Sequence, residues 1–279
     1  MTETTENKRF NDADALLAAL DWQVEMGADE CIADAPIDRF AVKPAQPPSV
    51  AGGTAPATAA PSRPKPAADA PLGAADAVAD SRKIAASCDS LETLRAALDA
   101  FDGCALKQTA TNLVFGDGAE DADVMFVGEA PGRDEDIQGL PFVGVSGQML
   151  DRMLSFIGLD RTKFYITNTL YWRPPGNRTP SDAEIAICRP FLERHISLIN
   201  PKVIVFVGGA SAKAMLNTSQ GITKIRGRWH DYKQDDWETG IPALPTFHPA
   251  YLLRNSAHKK LAWRDAIQLK RKMDELGIG

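Results

Sequence analysis

The chain has 279 residues, 44% of them apolar and 24% charged, proportions that exclude a collagen, a coiled coil or a chain disordered throughout. No window nears the roughly 18 uninterrupted apolar residues of a membrane-spanning helix. The acidic opening MTETTENKRFNDADALL is neither a secretory signal nor an Arg-rich transit peptide, so a cytoplasmic protein without a membrane partner is expected.

The net charge of −6 is unevenly spread, because residues 1–80 carry −7 and residues 81–279 carry +1. The second part is therefore free to present a local basic face. Residues 1–40 form an acidic segment. Within it, 12–26 places Leu16, Leu17, Leu20 and Val24 on one side of a short helix, a face suited to docking on a protein partner. Residues 41–80 are rich in Ala, Pro and Gly and read as a linker, since they offer little apolar area to offset the entropy of ordering. The globular domain is expected over 81–279, preceded by this disordered extension. The cysteines Cys31, Cys88, Cys104 and Cys188 include no C-x-x-C pair and read as free thiols rather than a disulfide framework.

In the domain, a helix is predicted over 90–101, opened by a Ser90-x-x-Thr93 cap. Four apolar runs follow, at 124–128, 164–168, 203–208 and 243–248, with helical patterns between them. One helix is predicted over 146–157, beginning at a Ser cap, with Met149, Leu150, Met153, Leu154 and Ile157 on one face. Another opens at the capping box Ser181-Asp-Ala-Glu184 and runs to about 199. A short helix is expected over 211–216 and a last one over 258–273. Strands alternating with helices give an α/β fold, with a mostly parallel sheet covered on both faces. Ligands bind such a sheet beyond the carboxyl ends of its strands, which brings Glu129, Asn168 and His248 into one crevice.

Several segments there can carry chemistry. In GEAPGRDED, 128–136, two glycines and a proline leave a strand in a tight turn beside Glu129, Asp134, Glu135 and Asp136. Such carboxylates suit a cationic transition state or a positioned water better than a bound phosphate. A solvated acidic turn is the plain structural alternative. Phe142, in GLPFVG, either stacks on a flat ligand or anchors its loop. In TFHPAYLLR, 246–254, His248 follows a strand and is succeeded by Leu252, Leu253 and Arg254. Apolar wedges beside a cation are a means of entering a duplex and displacing a base, although the segment also reads as the first turn of a core helix. Arg173 and Arg178 in RPPGNRTPS, and the run Lys224, Arg226, Arg228, suit phosphate contacts or an ordinary solvated surface.

Together and in this order, G128-E-A-P-G132 with Glu135-Asp136, G139-L-P-F-V-G144, S146-G-Q-M-L150, Asn168, R173-P-P-G-N-R178 and H248-P-A-Y-L-L-R254 resemble the family 4 uracil-DNA glycosylases over roughly residues 100–273. The resemblance implies a three-layer α/β/α fold with a central four-stranded parallel sheet. It implies an enzyme that hydrolyses the N-glycosidic bond of uracil in DNA and leaves an abasic site, acting as a monomer on uracil-containing DNA. It further implies that Glu129, with Glu135 second, supplies the carboxylate, because Ala130 stands where other uracil glycosylases carry Asp. Gly128, Ala130, Pro131, Gly132 and Asp136 would line the pocket, Phe142 would stack on the base, and Asn168 would read its edge. His248 would donate to the uracil O2. Arg173, Arg178, Leu252, Leu253 and Arg254 would hold the DNA. Two other readings stay open: a non-catalytic DNA-binding or protein-interaction module on the same fold, and a glycosylase for another deaminated base.

The resemblance also implies a [4Fe-4S] cluster on four cysteines. Only Cys104 and Cys188 match two of those positions, while Phe101 and Trp172 occupy the others. Two thiols do not hold a cubane in the usual manner. The expectation is no cofactor, with the two rings packed as core and the two thiols buried as neighbours.

Overall fold

The computed structural model describes residues 74–234 and 237–278. The amphipathic pattern at 12–26 and most of the Ala/Pro-rich stretch lie outside the described residues. Helix α1 spans Ala74–Ser87, so it includes seven residues of the stretch expected to be linker. The Ala-rich end of the presumed linker is a good helix former, and α1 has a helix to pack on: it lies against α5 (Asp182–Ile199).

Helix α2 (Leu91–Ala100) is opened by Ser90, whose side chain accepts from the Thr93 N–H while the Thr93 side chain accepts from the Ser90 N–H. The sheet has the order β1-β3-β2-β4-β6-β5. Four strands are parallel: β2 (Val124–Gly128), β3 (Tyr165–Asn168), β4 (Val203–Val207) and β6 (Ile241–Thr246). They are the four expected from the sequence. Two short strands extend the sheet beyond four, with β1 (Asp117–Gly118) antiparallel to β3 and β5 (His230–Tyr232) antiparallel to β6. With two and three residues, neither strand is long enough to show an alternating pattern.

Alternation along β2 sends Val124 and Phe126 to one face and Met125 and Val127 to the other. The first pair joins Leu150 and Leu154 of α4 (Val145–Ser155) and Leu269 and Met273 of α9 (Lys259–Glu275). The second joins Leu192 and Ile196 of α5 and Ala212 and Met215 of α6 (Gly209–Leu216). Both faces are thus covered, as near-continuous apolar strands require. A third apolar cluster, centred on α2, Phe115, Tyr171 and Trp172, lies under α1.

The remaining short helices are α3 (Arg133–Gln138), α7 (Ile222–Ile225) and α8 (Pro249–Arg254). The expected Ser cap on α4 is not formed. Gly144 is the N-cap and makes no side-chain bond, and Ser146 lies inside the helix. At the opening of α5, Ser181 and Glu184 form the expected capping box.

Candidate active site

The cleft lies beyond the carboxyl ends of β2, β3 and β6. Gly128 and Asn168 are register partners at the ends of β2 and β3, and His248 follows β6 by two residues. Glu129, Phe142, Asn168, His248 and Arg254 line a single cleft of about 500 Å³, together with Ala130, Pro131 and Gly132.

Gly128 must lack a side chain, because a Cβ there would run into the Asn168 amide and the Phe142 ring. That absence lets the Phe142 ring close over the end of β2 beside Asn168. Phe142 itself holds a left-handed backbone, with φ of 56°, a conformation that costs a non-glycine residue about 1–3 kcal/mol. Its ring stacks beside the His248 ring, with centroids 5.7 Å apart.

His248 caps α8. Its Nδ1 accepts from the Ala250 N–H at 3.2 Å, so the proton of the neutral ring sits on Nε2, which is then a donor. Burial, aided by the positive charge of Arg254, lowers its pKa to about 4, and the ring is neutral at pH 7. Asn168 is 2% exposed and lines the cleft, and its side-chain amide reaches the cleft without a hydrogen bond to another side chain or backbone group among the described residues. Its amide therefore has both a donor and an acceptor to offer. Burial raises the pKa of Glu129, and no neighbouring cation among the described residues offsets it.

Other predicted residues have different surroundings. Glu135 is buried, and its carboxylate accepts from the backbone N–H groups of Gly132 (3.1 Å), Val143 (3.0 Å) and Gly144 (3.0 Å). These three bonds tie the 128–132 turn to the 139–144 loop, and Glu135 also lines the cleft. Asp136 turns away from the cleft. It accepts from the Thr111 N–H and hydroxyl and from the Asn112 N–H, and stands 4.0 Å from Arg173. Leu252 is 1% exposed and packs with Phe247 and Ala262, so it is core and not a DNA contact; Leu253 is 44% exposed and open to a ligand. The six-residue α8 separates the two, since successive helical residues point about 100° apart.

Arg178 lines the cleft, held by Glu184 through two hydrogen bonds at 2.9 and 2.6 Å. Arg173 donates to the Asn177 side chain at 2.7 Å. Arg226 is not a surface cation: it pairs with the buried Asp265 and bonds the Leu261 carbonyl. Ser146 and Tyr251 also line the cleft. Both lie inside motifs quoted above, S146-G-Q-M-L150 and H248-P-A-Y-L-L-R254, where Ser146 is expected only as a helix cap and Tyr251 has no expected role.

Phe101, Cys104, Trp172 and Cys188 meet in the third core cluster, all buried. The Phe101 ring packs edge-on against Phe191 at 5.1 Å. The two cysteines are free thiols, and the neighbouring Cys104 together with burial raises the Cys188 pKa well above its ordinary value. An iron–sulfur cluster needs four thiolate-like ligands around an open cavity. Here two aromatic rings fill the space and two thiols remain, so the residues do not fit the group. No three His, Cys, Asp or Glu side chains converge as a metal site among the described residues, and none of the described helices is long and apolar enough to cross a membrane.

The profile of the Uracil DNA glycosylase superfamily matches residues 115–267. A Type-4 uracil-DNA glycosylase of Sulfurisphaera tokodaii is 40% identical over 195 residues, covering 68% of this chain and 86% of the relative. Those of Thermotoga maritima and Archaeoglobus fulgidus are 43% and 42% identical, covering 56% and 54% of this chain and 79% and 76% of theirs. The chain belongs to the uracil-DNA glycosylase superfamily, on its type-4 branch.

Proposed function

We propose that the protein is a DNA-repair hydrolase that cuts the N-glycosidic bond of uracil in DNA and leaves an abasic site. The observation that carries this reading is the tautomer of His248. A buried, neutral ring whose Nδ1 is occupied by the Ala250 N–H must present Nε2–H, in the same cleft as an unpartnered Asn168 amide and the Phe142 ring.

The base has to leave the helical stack before any side chain can reach it. Leu253 fills the gap it vacates, while Arg254, Arg178 and Arg173 meet the flanking phosphates. The Phe142 ring takes the face of the extruded base. The Asn168 amide donates to the uracil O4 and accepts from N3–H, a pair of contacts for which cytosine presents the reverse pattern. As the C1′–N1 bond breaks, its electron pair goes to the base, and negative charge gathers on O2. The His248 Nε2–H donates to O2, and a donor aimed at developing charge stabilises the transition state more than the ground state. The sugar becomes oxocarbenium-like, and the Glu129 carboxylate stabilises it and orients the water that adds to C1′. Glu129 can play this part only when ionised. The partner is uracil-containing DNA, the active unit is a monomer, and the protein works in the cytoplasm.

The test is alkaline strand cleavage of a labelled oligonucleotide bearing one uracil, with wild type, Glu129→Gln and His248→Ala. Excision by wild type that falls by about 10²–10⁴-fold in each variant is expected for lost proton-handling or electrostatic groups. A folded wild-type protein that binds the oligonucleotide and releases no uracil would overturn the reading in favour of a binding module. Release of hypoxanthine or xanthine instead would move the substrate to another deaminated base.

A further inference from the structure

Phe142 is the least relaxed residue of the cleft, and something must hold it. Its left-handed backbone is not of its own choosing, since a bulky side chain disfavours that region. Two features press on its carbonyl. On one side lies Gly147, in the first turn of α4, where any Cβ would overlap that carbonyl. On the other lies Arg161, from the connection between α4 and β3, whose Nη2 donates to the Phe142 carbonyl at 2.7 Å and whose Nη1 donates to the Pro141 carbonyl at 3.2 Å.

Every N–H of the Arg161 guanidinium is used. Nε donates to one oxygen of Asp151 at 2.9 Å and Nη2 to the other at 3.2 Å, a two-pronged grip on α4. Nη1 also donates to Asp117 of β1 at 3.0 Å. The guanidinium lies over the Phe164 ring, 5.6 Å from its centre. Five donors meet five acceptors on three separate elements, a pattern that the three donors of a lysine do not reproduce. The short antiparallel strand β1 thereby acquires a task, because it brings Asp117 to the outer side of the clamp.

We propose that Arg161 is a positioning residue for catalysis. It fixes the 141–142 carbonyls so that Phe142 keeps its left-handed backbone and its ring lies flat in the base pocket. The inference deepens the uracil-excision reading and rests on it. Arg161 touches neither base nor sugar, and acts through Phe142 alone.

The experiment is a double-mutant cycle on uracil excision with Arg161→Gln, Phe142→Ala and the pair, measuring kcat and KM separately, with thermal unfolding of each protein alongside. Arg161→Gln is expected to lower kcat by about 10–100-fold with little change in KM, because a displaced ring costs orientation in the reacting complex. The two losses should not add, and the pair should excise no more slowly than Phe142→Ala within about threefold. Arg161→Lys, which keeps the charge beside Asp151, should fall with Gln. Wild-type kcat in a folded Arg161→Gln protein, full rescue by Lys, or additive losses would overturn the inference while leaving uracil excision standing. Should Arg161→Gln not fold, the kcat of Arg161→Lys decides it. A wild-type protein that releases no uracil would overturn the parent reading instead, which the same assay records separately.

Discussion

At the scale of single residues, two ionisable groups of the cleft, Glu129 and His248, are pushed in opposite directions by the same cause. Burial disfavours charge, so it raises the acid Glu129 and lowers the base His248, the latter to about 4. As pH falls, Glu129 takes up its proton at a pH above its ordinary value, while His248, lowered to about 4, is still neutral and still donating through Nε2–H. The acid limb of kcat/KM for uracil release should therefore belong to Glu129, with activity lost as pH falls through its raised pKa. His248→Asn should lower the rate and leave that limb in place. Glu129→Gln should flatten it. A limb that moves in the histidine variant and persists in the glutamine variant would reverse the assignment. Glu129, Asn168 and His248 could be gathered into one crevice from the sequence because each sits at or next to the end of an apolar run, where the topology of a parallel sheet gathers ligand-facing groups, whereas Phe142 lies in the 139–144 loop and stood out only as an aromatic among glycines and prolines. Composition shows the carboxylates Glu135 and Asp136 without showing what they are bonded to. In a tight turn, free backbone N–H groups compete with any ligand for a carboxylate's lone pairs, and here three of them bond Glu135, while Asp136 is bonded to Thr111 and Asn112.

At the scale of elements, α8 turns one sequence, PAYLLR, into two functions. Leu252 belongs to the core with Phe247 and Ala262, whereas its neighbour Leu253 stands in solvent. Leu252→Ala should destabilise the fold by about 2–5 kcal/mol, the usual cost of emptying a buried leucine site. Leu253→Ala should leave the melting temperature within a degree or two, and slow uracil release from duplex DNA more than from single strands, where there is no stack to hold open. Equal losses on both substrates would remove Leu253 from the wedge role. The main elements were foreseen because each repeats a pattern over several turns or residues: the apolar stripe of α4, the capping box of α5, the all-apolar β2 and β4. β1, β5 and α3 were not, since two, three and six residues carry too little periodicity. What makes them possible is tertiary: β1 and β5 each add an antiparallel partner to the edge of a sheet already formed.

At the scale of the whole molecule, the third core cluster packs two aromatic rings at positions where the family resemblance implies cysteines. A cluster bound by four cysteines ties distant chain segments together, and its loss would leave a hole between α2, the 170–172 segment and α5. Here Phe101 and Trp172 pack together with Cys104, Cys188 and Phe191, and Ala85 of α1 and Cys88 just after it join the same cluster. The expected consequence is a stable, colourless protein. Chain purified without oxygen should show no iron–sulfur charge-transfer absorbance and far less than one iron per molecule, and a chelator should not shift its melting temperature. Trp172→Ala should cost about 3–5 kcal/mol, as for any large buried aromatic, whereas Cys104→Ala should cost far less, because a small thiol leaves a small void. Iron approaching four atoms per chain, or a melting temperature that collapses with chelator, would show that the two thiols recruit ligands from elsewhere and that the rings are not the replacement. If the iron is absent and Trp172 proves the costlier loss, the fold that positions Glu129, Phe142, Asn168 and His248 is maintained by apolar burial alone, and repair by this enzyme is insulated from the oxidants that dismantle iron–sulfur clusters.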